Sequence, residues 1–163
     1  TDAVLKTLNA AIDEFIAMRA CEGAKMRADV LSRADLILEN VSYIEKRSPE
    51  TVKEYNDKLL ERMKDILGDA SVDEARLLTE AAIFADKIAV AEETVRLRSH
   101  IDQLRTMLDS DDAIGRKLDF LVQEINRESN TIGSKAQNVD IARRVIDIKA
   151  EVEKIREQIQ NIE

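Results

Sequence analysis

The chain has 163 residues, 44% hydrophobic and 36% charged, with four glycines, one proline and a net charge of −8 from 25 basic and 33 acidic side chains. So few turn-forming residues exclude a β-sandwich or barrel, and an aromatic-poor composition rich in Ala, Leu, Ile, Glu, Lys and Arg is that of a helical bundle. Collagen-like, low-complexity and disulfide-scaffold classes are excluded as well. The single Cys21 cannot close an intrachain disulfide, which suits a reducing cytoplasm, and with Ala20 and Ala24 it reads as a small helix-packing residue. No apolar run approaches the ~18 residues of a membrane span, and no secretory leader pattern opens the chain, so no membrane partner is expected. The first residue is Thr rather than Met, which leads us to expect a portion of a longer protein.

Helical periodicity prevails along the chain. The first segment runs from about Asp2 to Lys46, with Leu5, Leu8, Ile12 and Phe15 on one face. After Gly23, its weakest point, the pattern resumes as Met26, Val30, Ile37, Val41 and Ile44. Ser48-Pro49-Glu50 has the form of a helix start, a hydroxyl cap with proline at the first helical position. The second helix is expected to end near Leu67, at Gly68. Ser71 and Glu74 have capping-box spacing and open a third helix, which continues to about Leu108 with Val90, Thr94, Leu97, Ile101, Leu104 and Leu108 on one stripe.

The polar run Asp109-Ser110-Asp111-Asp112 breaks the chain before a fourth helix from about Ala113 to Ile132, which Gly133 ends. Asn138 caps the last helix, where Ile141, Val145, Ile148, Val152, Ile155, Ile159 and Ile162 alternate four and three apart. This heptad seam fits either an antiparallel hairpin within one chain or self-association. The fold class is therefore all-α, with long helices forming an extended antiparallel bundle of coiled-coil character. Residues 1–70 are expected to form a long-helix hairpin and residues 71–163 a C-terminal helical domain.

On the fourth helix, Leu118, Leu121, Val122, Ile125 and Ile132 form the buried arc. Arg116, Phe120, Gln123, Arg127, Asn130 and Ser134 lie opposite, flanked by Lys117, Glu124, Glu128 and Lys135. Guanidinium forks match phosphate, amides and hydroxyls match backbone or base edges, and an outward Phe offers a stacking surface for an unpaired base. The plainer alternative is that this face packs on another helix or subunit. Acidity does not exclude nucleic acid. Between Arg96 and Arg144 there are nine basic and eight acidic residues, so the deficit lies elsewhere, where 16 basic face 25 acidic.

The only imidazole is His100, and Glu93, Arg96 and His100 follow one another at three- and four-residue steps on one side of the third helix. Glu124 and Glu128, one turn apart, have the spacing to hold a hard divalent cation, although such pairs are common on solvated helix faces. Zinc-type Cys/His spacing, a phosphate-binding glycine loop and a nucleophile elbow are all missing from the sequence. From residue patterns alone, the reading stops at a helical interaction protein with a polar site.

Several of these residues together resemble the signature of the YicC/YloC family. They are Gly115-Arg116-Lys117-Leu118-Asp119-Phe120, Gln123-Glu124, Asn126-Arg127-Glu128, Asn130-Thr131 and Ser134-Lys135. The resemblance extends over Ala91-Glu92-Glu93, Arg96-Leu97, Ser99-His100, the terminal Lys154 to Glu163, and upstream Met18-Arg19 with Glu22-Gly23. It covers essentially the whole chain. It implies a bacterial, cytoplasmic, stress-associated, divalent-metal-dependent endoribonuclease that forms a homo-oligomer. Family members also carry an N-terminal α/β domain that lies outside this sequence. They often have Asp or Asn two residues before the Ala-Glu-Glu, where this chain has Ala89.

Carried onto this chain, the resemblance implies RNA as substrate and Mg²⁺ or Mn²⁺ as cofactor, held by Glu124 and Glu128. Glu93, Asp119, Glu124 and Glu128 would position metal and water, and His100 would serve as acid or base. Arg96, Arg116, Lys117, Phe120, Gln123, Arg127, Asn130, Ser134 and Lys135 would bind RNA. Two non-catalytic alternatives remain open here, an oligomerisation scaffold and an RNA-binding adaptor.

Overall fold

A computed structural model of the chain describes residues 2–67, 74–110 and 114–160. Five α-helices make up the described residues: α1 (Asp2–Leu67), α2 (Glu74–Ile88), α3 (Ala91–Leu108), α4 (Gly115–Lys135) and α5 (Val139–Ile159). None of them is long and apolar enough to cross a membrane.

The second half of α1 closes a four-helix bundle with α3, α4 and α5. Val30, Ile37, Val41 and Ile44 of α1 are fully buried with Leu97, Ile101 and Leu104 of α3, Leu118, Ile125 and Ile132 of α4, and Ile148 of α5. Each such side chain contributes about 1.5–3 kcal/mol of burial, so the stripes dictate which faces meet. The α5 seam is buried inside the chain at Ile141, Val145, Ile148, Val152, Ile155 and Ile159, which selects the intrachain alternative for those residues; Ile162 lies outside the described residues.

Cross-helix pairs give the directions. Arg33 meets Glu151 at 2.9 Å and Asn40 accepts from Arg144 at 3.1 Å, so α1 and α5 run antiparallel. Arg27 with Asp109, Asp35 with Arg105, and Glu45 with Arg98 set α1 antiparallel to α3 in the same way. The Arg144 guanidinium also sits over the Tyr43 ring, 4.6 Å from its centroid. The short α2 docks on α1 through Phe84, whose ring stacks on Tyr55 with centroids 3.5 Å apart.

Three expected boundaries move. The helix start at Ser48-Pro49-Glu50 does not occur: α1 runs through Pro49 as a single helix of 66 residues, so there is no turn within residues 2–67. An interior proline costs about 3 kcal/mol, and the flanks of Pro49 are held on both sides. Ile44 and Thr51 are buried, Thr51 Oγ1 donates to the Arg47 carbonyl at 3.1 Å, and Arg47 reaches Glu54 at 2.8 Å across the proline turn. The third helix divides into α2 and α3 at Ala89-Val90, while its expected cap Ser71 and the stop at Gly68 lie outside the described residues. The fourth helix continues to Lys135. Gly133 lies inside it, where a Cβ would meet Val145 Cγ1 at 3.1 Å, so this glycine permits close α4–α5 approach rather than ending the helix. Asn138 does cap α5, its Oδ1 accepting from the backbone N–H of Asp140 and Ile141.

Residues 2–25 of α1 are exposed throughout. Their apolar face, Leu5, Leu8, Ile12 and Phe15, is 45–57% exposed. Cys21, expected to pack, is exposed too.

Candidate functional site

The α3–α4 hairpin carries the site, because its antiparallel register pairs the start of α3 with the end of α4. Lys135 Nζ donates to Glu93 Oε1 at 2.6 Å and to the Ala89 carbonyl at 2.9 Å. One turn further, Arg96 Nη1 stands 3.7 Å from Glu128 Oε1. At the next level His100 meets Glu124 and Glu128, and the three offer ligand atoms all within 4.8 Å of one another.

Glu128 is expected in the cluster, but its burial is not. The helical wheel sets it on the flank of a solvated face, but it is only 4% exposed. The cation opposite it, Arg96, approaches at more than hydrogen-bond distance and is itself paired with Glu92. Within the cluster it is His100 whose requirement is unmet: its Nδ1 is buried and has no hydrogen-bond partner among the described residues. Such an orphaned group costs about 1–3 kcal/mol.

Two carboxylates and an imidazole, one nitrogen of it unpartnered, fit a divalent cation. With ligand bonds of about 2.1 Å, opposite donors stand about 4.2 Å apart. At most one pair of the three donors can be opposite, and the others must stand about 3 Å apart, so closing the cluster, whose donors lie within 4.8 Å of one another, on an ion requires rotamer adjustment. The mixed donor set suits Mn²⁺ better than Mg²⁺, which prefers oxygen alone.

Other candidate residues take separate places. Glu93 is 6% exposed; burial pushes its carboxyl up, but the Lys135 hydrogen bond, its own backbone hydrogen bond and the Lys135 and Arg96 charges outweigh this and hold it below the usual range. Its Oε2 is buried without a hydrogen-bond partner among the described residues. Lys135 thus engages a carboxylate and a carbonyl, and Ala89 contributes through its backbone rather than its side chain. Asp119 accepts from Gln123 Nε2 at 2.8 Å and is not one of the three clustered residues. Ser134 Oγ donates back to the Thr131 carbonyl of its own helix. Arg116, Lys117, Phe120, Gln123, Arg127 and Asn130 are exposed as the wheel requires, with Arg127 3.6 Å from Glu124.

The family resemblance implies an acid or base role for His100; the structure sets it beside Glu124 and Glu128. The signal that locates it there is the pairing of the α3 and α4 stripes, which fixes which turns face each other. Beyond His100 and Glu124 the hairpin opens into a groove of about 430 Å³. Two of its lining residues, Gln103 and Met107, are not singled out by any sequence pattern.

Residues 44–163 match the family described as "Endoribonuclease YicC-like, C-terminal". A Clostridioides difficile protein described as a probable endoribonuclease YicC is 47% identical to the chain over 167 residues, and one from Haemophilus influenzae with the same description is 38% identical over 166. Each alignment covers 99% of the chain and 57% of the relative, so the chain spans little more than half the length of these relatives.

Proposed function

From the chain's membership of the YicC-like endoribonuclease family, we propose that it is the helical part of a divalent-metal-dependent endoribonuclease that hydrolyses phosphodiester bonds in RNA. The observation that carries this reading is the cluster of His100, Glu124 and Glu128, ligand atoms within 4.8 Å, on the helix that also presents Arg116, Lys117 and Arg127 to solvent.

Glu124, Glu128 and His100 would hold the cation, Mn²⁺ in preference to Mg²⁺. When bound, it supplies a Lewis acid for a phosphoryl oxygen and a water of lowered pKa. The protein's own residues do the rest. Arg116, Lys117 and Arg127 hold the phosphates and stabilise charge developing on the attacked one. Arg96 partly balances the Glu128 charge from 3.7 Å, and the Glu93–Lys135 pair locks the hairpin one turn beyond. The exposed apolar face of residues 2–25 supports the further reading that the protein works as a homo-oligomer, which would cover Leu5, Leu8, Ile12 and Phe15.

The test is cleavage of RNA in Mn²⁺ by the intact protein carrying Glu124→Gln together with Glu128→Gln. Loss of at least ~100-fold in rate with an unchanged melting temperature is expected. Cleavage at the unaltered rate removes both residues from the mechanism.

A further inference from the structure

Resting on the reading just given, we propose that the groove beside the carboxylate–imidazole cluster is a base-binding subsite that admits one unpaired nucleotide and excludes paired RNA. The groove's wall is apolar, formed by Met107, Phe120 and Leu121, and His100 and Glu124 stand at the cluster end. Phe120 is 63% exposed, an uncommon amount for a phenyl ring on a helix whose apolar arc is otherwise buried. Its ring lines the groove and offers an aromatic surface there.

The rim is polar. Arg116 and Lys117 line it, and neither makes an ion pair among the described residues. Gln103 adds an amide whose Nε2 donates weakly to Ser99 Oγ at 3.3 Å, leaving its carbonyl for a base edge. A nucleotide has this same distribution: an apolar face, a hydrogen-bonding edge and an anionic phosphate on each side. Stacking on Phe120 with the flanking phosphates on Arg116 and Lys117 brings an adjacent phosphodiester toward the cluster, because Glu124 lies one turn along α4 from Phe120.

Paired RNA does not satisfy the groove. In an A-form duplex the base faces are covered by their neighbours, and the deep major groove is too narrow for side chains. The exposed Phe120 ring can stack only on a base face that is not already covered by its neighbours, which requires an unpaired, unstacked base.

The experiment separates binding from cleavage. A single-stranded oligoribonucleotide carrying one 2-aminopurine is titrated with the intact protein in EDTA, so that no RNA is cut. Quenching on binding is expected, together with about tenfold weaker affinity and loss of quenching in Phe120→Ala, and retention of both in Phe120→Tyr. A blunt duplex of equal length should compete poorly. Unchanged quenching and affinity in Phe120→Ala, or equal competition by the duplex, overturns the proposal. So does a change in sedimentation without a change in quenching, which would assign the groove to contact between copies. Failure of the nuclease reading looks different: the unaltered protein then cuts no RNA in Mn²⁺, whatever the fluorescence shows.

Discussion

Glu128 Oε1 stands 3.7 Å from Arg96 Nη1, so the most buried carboxylate of the cluster faces a guanidinium that competes with any cation for it. Removing that positive charge lowers the electrostatic cost of placing a divalent ion between His100, Glu124 and Glu128. Arg96 is half-exposed, which screens the effect. Arg96→Met is expected to tighten Mn²⁺ binding by roughly threefold to tenfold. Calorimetric titration of the variant beside the unaltered protein checks this; equal or weaker binding contradicts it.

Glu93 and Lys135 join the two ends of the hairpin at 2.6 Å, the carboxylate buried and the ammonium about one-third exposed. Lys135→Met leaves Glu93 without its counter-charge and is expected to cost roughly 1–2 kcal/mol, discounted for the exposure of the lysine. The Glu93 carboxyl is held below its usual range. The folded state therefore binds that proton less readily than the unfolded state, and the stabilisation is present above the unfolded carboxylate pKa of ~4.3. It is lost as pH falls through the lowered folded value. The stability difference between Lys135→Met and the unaltered protein should accordingly be full at pH 7 and shrink below about pH 4 in urea unfolding. A difference that grows on acidification is the contrary result.

The apolar stripes of α3, α4 and α5 are legible in the sequence because burial selects one residue type at a helical period, and the structure buries those residues except Leu108, which is partly buried, and Ile162, which lies outside the described residues. The course of α1 is not. The local signals at Ser48-Pro49-Glu50 all favour a helix start, and packing at Ile44 and Thr51 overrides them from positions that no local pattern connects. Likewise, Glu124 and Glu128 are recognisable as a pair one turn apart. That Glu128 is buried, and that His100 completes the cluster, depends on which turn of α3 lies opposite. Gly133 reads locally as a helix end, and its place inside α4, with its Cβ position 3.1 Å from Val145 Cγ1, overturns that reading through a contact from another helix.

Gly23 and Gly133, each inside a helix, should respond oppositely to alanine. A Cβ at Gly23 meets nothing within 4 Å, so Gly23→Ala is expected to gain up to about 1 kcal/mol of local helix stability. Hydrogen exchange of the neighbouring α1 amides reads that gain. At Gly133 the new Cβ presses on Val145 Cγ1 at 3.1 Å, in a well-packed seam where overpacking costs about 1–3 kcal/mol. Gly133→Ala should fail to stabilise in urea unfolding, and pairing it with Val145→Ala should relieve the pressure. A stabilising Gly133→Ala contradicts the close-approach role.

Arg116 and Arg127 are assigned to phosphates, which predicts a salt signature. Each contact to single-stranded RNA contributes about 0.7 to the slope of log affinity against log salt concentration. The double variant Arg116→Ala with Arg127→Ala should bind RNA more weakly, with a slope reduced by about 1.4, and should sediment as the unaltered protein does. An unchanged slope with a dissociated assembly would instead assign these arginines to subunit contacts.

A divalent cation held by His100, Glu124 and Glu128 is the central proposal, and its most direct measurement is electron paramagnetic resonance of Mn²⁺ titrated into the intact protein. The free-ion signal should be suppressed up to one saturable site per chain. That site should be lost in Glu124→Gln with Glu128→Gln and weakened in His100→Ala. A titration in which the double variant suppresses the signal as fully as the unaltered protein contradicts the assignment.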